Sequence, residues 1–145
     1  MVKSVCIVGL GSSRDHVFKE PPGSEMWCLN NGHICFKPEE VKRFTAWFQI
    51  HPRADFEANN NPIYGNLKFL QTCGIPLYME QVWPDMPTSV KYPRAEIITA
   101  LGYEYFTSSM SYMLALAIYQ GYEELRIYGI DMAADTEYFH ERPCF

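Results

Sequence analysis

The sequence predicts an α/β fold built on a mainly parallel sheet, and three observations carry that expectation. Short apolar runs at Ser4 to Val8, Glu25 to Leu29, Ala46 to Ile50, Ile75 to Met79, Tyr105-Phe106 and Leu125 to Tyr128 alternate with helical stretches. The stretch after Thr107 holds a helix that is apolar nearly all round: Met110, Met113, Leu114, Ala117 and Ile118 at helical spacing, with Tyr112, Leu116 and Tyr119 over most of the rest. Such a helix is expected in the interior. Finally, if the strands are parallel, small polar residues gather at one edge of the sheet, whereas Gly74 and Gly121, plain helix stops, fall at the other.

In chain order, Ser4 to Val8 reads as the first strand and runs into Gly9-Leu-Gly-Ser-Ser13. A glycine-serine turn after a strand lets backbone approach a phosphate, although the same residues also serve a tight surface turn. The loop lacks the third glycine of a dinucleotide fingerprint and the Gly-Lys-Ser/Thr of a Walker loop. Pro21-Pro-Gly23 is a turn, and Glu25 to Leu29 is the second strand, ending at Asn30-Asn31. These asparagines tolerate left-handed backbone, and their amides could equally hold a base or ribose. Pro38 to Arg43 is a short helix with proline in its first turn. Ala46 to Ile50 is apolar and hence central, and it ends in His51, either a loop histidine or a ligand contact and general base.

Asn59 to Pro62 is a loop, and Ile63 to Cys73 a helix with Leu67 and Leu70 on one face. Ile75 to Met79 is the fourth strand. Glu80 to Pro93 has three prolines and no periodicity, so it reads as a long loop whose Trp83 either plugs the sheet edge or serves as a lid. Arg94 to Leu101 is helical, and a fifth strand through Tyr105-Phe106 leads into Thr107-Ser-Ser109. There a hydroxyl caps the apolar helix, Gly121 stops it, and Tyr122 packs back on its last turn. Leu125 to Tyr128 is a strand broken by Gly129, with Asp131 just beyond its carboxyl end.

A chain of 145 residues with 48% hydrophobic content is expected to form one domain over residues 1–145 and to bury a substantial core. No apolar run is long enough to span a membrane, and the N-terminus lacks a signal-peptide pattern, which predicts a cytoplasmic protein. Five cysteines without a C-x-x-C pair argue against a disulfide or metal framework. A net charge of -5 argues against general nucleic-acid binding. Whether copies of the chain associate as a homo-oligomer is left open.

Val5-Cys-Ile-Val-Gly-Leu-Gly-Ser-Ser13, Trp27-Cys-Leu-Asn30, Thr107-Ser-Ser-Met-Ser-Tyr-Met113 and Gly121-Tyr-Glu-Glu-Leu-Arg-Ile-Tyr-Gly-Ile-Asp131 resemble, in order, the bacterial sialyltransferases that modify lipooligosaccharides. They are also similar to a related superfamily that includes 6-hydroxymethylpterin diphosphokinases and flagellin-associated accessory proteins, and to small phage-encoded relatives. The resemblance implies a Rossmann-like, mainly parallel sheet with helices on both faces, and a nucleotide or nucleotide sugar as ligand, with no tightly bound cofactor. It places Gly9, Gly11 and Ser12 along the phosphate and ribose, and Asn30 at the nucleotide; Ser13 and Asn31, on the same polar edge, are further candidate contacts to the nucleotide. Thr107, Ser108 and Ser109 then sit against it from a helix N-terminus, and Asp131 forms the floor of the site. Ser12 stands where the family has proline, and His51 where an asparagine is common. Relatives continue through a further helix and strand beyond Arg142-Pro.

The leading expectation is a nucleotide-sugar-dependent glycosyltransferase, or a degenerate relative that keeps nucleotide binding. His140 or His51 is the candidate base, and Ser109 with Arg142 stabilises the leaving phosphate. A diphosphokinase-like enzyme would use ATP and magnesium and would want several carboxylates around the triphosphate, where only Asp131 with Asp135 or Glu137 is nearby. A non-catalytic phage protein binding a nucleotide or a host partner is the third class.

Overall fold

The computed structural model describes residues 2–57, 66–104 and 106–130. It contains an open, all-parallel, six-stranded sheet with helices, the α/β Rossmann-like architecture expected from the sequence. Its strands are β1 (Ser4–Val8), β2 (Met26–Leu29), β3 (Ala46–Gln49), β4 (Leu77–Met79), β5 (Ser89–Lys91) and β6 (Glu124–Tyr128), in the order β5-β4-β3-β2-β1-β6. The helices are α1 (Pro38–Val41), α2 (Arg53–Glu57), α3 (Leu67–Thr72), α4 (Arg94–Leu101) and α5 (Ser109–Tyr119), with 3-10 turns at Arg14–Lys19 and Gly32–Cys35. The chain divides into two compact units, residues 1–25 with 93–145 and residues 26–92.

In the first unit β1 pairs with β6 from Ser4 opposite Glu124 to Val8 opposite Tyr128. Val5 to Val8 are all buried, whereas β6 is largely half-buried or exposed. Helix α5 packs on β1 and α4. It buries Met113, Leu116 and Ala117 but leaves Ile118 and Tyr119 exposed, so its last turn lies at the surface and the expected all-round burial does not hold. The stop is the one expected. Gly121 takes φ 75, its N–H donates to the Ile118 carbonyl, and the Tyr122 N–H donates to the Ala117 carbonyl at 3.0 Å. This crossed pair is a Schellman motif, which satisfies carbonyls that the helix end leaves open.

The second unit is built on an aromatic core. Trp47, fully buried in β3, meets Phe44 edge-on at 5.5 Å and Phe69 at 4.7 Å, while Trp27 of β2 lies 5.4 Å from Phe48. Burying side chains of this size removes a large apolar area from water and dominates the local energetics. Cys28 is completely enclosed, and burial pushes its thiol far above the usual range, which makes it a packing residue.

Three expectations are corrected. The stretch read as a long loop contains β5, which pairs with β4 from Leu77 opposite Ser89 to Met79 opposite Lys91. No strand forms at Phe106. Its ring packs instead against Tyr112 at 4.9 Å and Tyr103 at 6.0 Å, and Tyr105 lies outside the described residues. The helix read from Ile63 begins at Leu67, behind an N-cap at Asn66, and residues 63–65 lie outside the described residues. No helix among the described residues is long and apolar enough to cross a membrane.

Candidate functional site

The chain runs outward from β1 as far as β5, then returns to lay β6 against the other side of β1. The order therefore reverses between β1 and β6. In open parallel sheets, ligands bind outside the carboxyl ends of strands at such a reversal. Here that edge carries the Gly9–Ser13 loop after β1 and Gly129 after β6.

The two connections are tied together by backbone. The Gly9 N–H donates to the Tyr128 carbonyl at 2.8 Å, the Gly11 N–H to the Gly129 carbonyl at 2.7 Å, and the Gly129 N–H to Ser13 Oγ at 3.0 Å. A Cβ on Gly11 would stand 2.8 Å from the Gly129 carbonyl oxygen, and one on Gly9 would stand closer still. The side-chain directions of Gly9 and Gly11 are thus filled by the neighbouring chain. The structure supplies a reason for these glycines, close backbone crossing, that differs from the phosphate approach expected of them. Ser13 is engaged with Gly129, while Ser12 is exposed. Arg14, which the sequence reading passed over, buttresses the loop: its Nη1 donates to the carbonyls of Leu10 at 3.0 Å and Gly11 at 3.2 Å.

Thr107 to Ser109 reach the same edge. At the far end of α5, the Lys3 ammonium donates to the Gln120 carbonyl at 2.7 Å and the Glu123 N–H to the Lys3 carbonyl at 2.8 Å, which places that end at the start of β1. Helix and strand are each about 16 Å long, so the helix N-terminus lies at the carboxyl end of β1. Ser108, with extended backbone at φ -141, is the cap. Its Oγ accepts from the Ser111 N–H at 3.3 Å, and the Ser108 N–H donates to Ser111 Oγ at 3.3 Å. Ser109 is the first helical residue, and the helix presents the positive end of its dipole at this edge.

In the second unit, Asn30 follows β2 and His51 follows β3. Asn30 is left-handed, with φ 49, as asparagine at a strand end allows. Its N–H donates to the Phe48 carbonyl at 2.8 Å. Its own carbonyl accepts from Trp47 Nε1 at 2.9 Å and from Asn66 Nδ2 at 2.5 Å. The side-chain Oδ1 is buried and has no hydrogen-bond partner among the described residues. Asn31 is buried and opens the 3-10 turn, its carbonyl accepting from the Ile34 N–H at 3.1 Å. His51 Nδ1 lies 2.7 Å from Gln49 Oε1. Burial pushes the imidazole below its ordinary pKa, opposed by the Asp55 carboxylate.

Gln49, at 0% exposure, and Asn66, at 4%, were not singled out from the sequence, yet Gln49 Nε2 donates to Asn66 Oδ1 at 3.3 Å and links His51 to Asn30. The one available signal was a glutamine closing an otherwise apolar strand. Asp131, His140 and Arg142, with Asp135 and Glu137, lie outside the described residues. Among the described residues, no group of three His, Cys, Asp or Glu side chains is placed to hold a metal ion.

No family model and no curated protein matches this sequence. A solved structure of the sialyltransferase CstII from Campylobacter jejuni, in complex with the substrate analogue cytidine-5'-monophosphate, is similar to it. The TM-score is 0.60 at 21% identity, over 99% of this chain and 76% of that one, and the likeness is one of fold.

Proposed function

We propose that this protein binds a cytidine-type nucleotide, the donor half of a nucleotide sugar, as a glycosyltransferase-like protein or a degenerate relative that retains the nucleotide. The observation that carries the reading is Asn30: a left-handed residue at a strand's carboxyl end whose buried amide oxygen lacks a donor among the described residues. Leaving such an acceptor unsatisfied costs about 1–3 kcal/mol, which a ligand's amine or hydroxyl would offset. The fold likeness to a sialyltransferase with cytidine-5'-monophosphate bound agrees with this reading. The proposed contacts are Asn30 and Asn31 to base or ribose, and Gly9, Gly11, Ser12 and Ser13 with Thr107, Ser108 and Ser109 to ribose and phosphate. Asp131 would form the floor and Arg142 the phosphate partner, with His51 or His140 as base toward an acceptor hydroxyl.

Calorimetric titration with cytidine monophosphate, cytidine and adenosine monophosphate tests this. Cytidine monophosphate is expected to bind tightest, and at a hundredfold excess over its dissociation constant to stabilise the fold by about 2.7 kcal/mol. Asn30→Ala should weaken binding by about 0.5–1.5 kcal/mol, up to roughly tenfold. Absence of binding by any nucleotide at millimolar concentration would refute the reading.

A further inference from the structure

The buried polar side chains between β2 and β3 form a chain of hydrogen bonds with a single direction, and its direction is set by backbone groups at both ends. At one end, the Asn30 carbonyl can only accept, so the Asn66 atom 2.5 Å from it is the amide nitrogen. Asn66 Oδ1 then faces Gln49, which must present its own nitrogen, at 3.3 Å. At the other end, the His51 backbone N–H can only donate, and it points at Gln49 Oε1 from 3.4 Å. Both ends require the same orientation of Gln49. His51 Nδ1, 2.7 Å from that oxygen, must carry a proton, which makes Nε2 the acceptor of the neutral ring. Burial, which holds the imidazole below its ordinary pKa, favours that neutral form.

Asn66 is also the N-cap of α3, a position where asparagine ordinarily accepts from the first turn; its side chain makes no such bond and serves the relay instead. Trp47 Nε1 adds the second donor on the Asn30 carbonyl. Two donors on one carbonyl hold the peptide that fixes the left-handed Asn30, and with it the aim of the Asn30 amide.

We propose that Gln49 and Asn66 are positioning residues that set two groups at once: the Nδ1–H tautomer of His51, with Nε2 as its acceptor nitrogen, and the left-handed conformation of Asn30. The functional half of this inference, that the arrangement presents Asn30 to a nucleotide and His51 to a hydroxyl, rests on the nucleotide-binding reading above; the tautomer does not.

Two measurements separate these halves. Long-range nitrogen–proton correlation spectra of the ligand-free protein, with the His51 signals assigned by their loss in His51→Asn, report the tautomer directly. The expected pattern is a pyrrole-type Nδ1 and a pyridine-type Nε2; the reverse pattern overturns the relay, whatever the protein binds. The conservative variant Gln49→Glu replaces the amide with a carboxylate, whose negative charge beside Nδ1–H should convert His51 to the doubly protonated ring near neutral pH; an unchanged neutral spectrum counts against the proposal. Cytidine monophosphate titration supplies the second readout. Asn66→Ala, verified as folded by its amide spectrum, should weaken binding about tenfold, and Asn66→Gln should not restore it, because the longer side chain displaces both contacts. Equal affinity in wild type and Asn66→Ala would overturn the positioning role. No binding by wild type would instead refute the nucleotide reading and leave the tautomer assignment standing.

Discussion

Gly9 and Gly129 meet backbone to backbone: a Cβ added to Gly129 would stand 2.6 Å from the Gly9 carbonyl oxygen and 2.8 Å from the Arg14 Cβ. Neither neighbour is the far end of a flexible side chain, so a methyl group there forces the two connections apart. Gly129 also holds φ 64, where an alanine is strained. Gly129→Ala should therefore destabilise the protein by about 2–4 kcal/mol, strain and overpacking together. Gly23→Ala is the comparison, because Gly23 has φ 86 but nothing within 4 Å of an added Cβ. It should cost about 1–2 kcal/mol from strain alone. Urea unfolding of both variants measures the difference, and equal losses would mean that the crossing yields easily.

The cap of α5 separates two serines that the sequence cannot. Ser108 exchanges hydrogen bonds with Ser111, whereas Ser109 is already helical. Ser108→Ala should cost about 1 kcal/mol, whereas Ser109→Ala, at a helical position where alanine is the better helix former, should cost nothing. If thermal unfolding ranks the two in the opposite order, the cap is misassigned.

The fold was legible where the chain's chemistry is local. The strand at Ser4–Val8 and the helix at Arg94–Leu101 have the expected ends, because an apolar run meets glycine in one case and proline precedes the helix in the other. Strand β5 was not legible: three residues, Ser89, Val90 and Lys91, with a half-buried or exposed pattern, are a strand only because β4 offers them a partner. The site divides the same way. Left-handed Asn30 follows from residue type and position. Gln49 and Asn66 meet across 17 residues of sequence, and that pairing is a product of tertiary packing.

Arg53 holds Trp83. Its guanidinium lies 4.6 Å over the Trp83 ring and donates to both oxygens of Asp85, at 2.8 and 2.7 Å, and to Glu57 at 3.1 Å. The paired carboxylates hold the guanidinium above its usual pKa, and the arginine holds Asp85 well below the usual carboxylate range. Planar donors and a stackable face are properties of arginine that lysine lacks. Arg53→Ala should thus loosen the segment before β5, seen as faster amide exchange at Trp83, whose N–H donates to Ser89 Oγ at 2.9 Å. Arg53→Lys should restore little of the protection; full restoration would reduce the arrangement to simple charge pairing.

Acid sensitivity should come in part from His33. Its ring stacks on Phe69 with centroids 4.2 Å apart and planes 2° from parallel, and its Nδ1 is buried with no hydrogen-bond partner among the described residues. Burial pushes the imidazole below its ordinary value of 6.5. Above that value the ring is neutral in both the folded and unfolded states, and its contribution to stability is intact. As the pH falls below it, the unfolded chain takes up a proton that the folded protein resists, so stability declines until the lowered folded pKa is passed. His51, lowered by burial as well, acts in the same window and direction. His33→Phe keeps an aromatic ring against Phe69 and removes one of the histidines that burial shifts among the described residues. Its stability should fall less than that of wild type between about pH 7 and about pH 5, with His51 contributing to the slope that remains. Urea unfolding of both proteins across that interval provides the comparison. Parallel losses would show that the His33 ring takes up its proton as readily in the folded state as in the unfolded one.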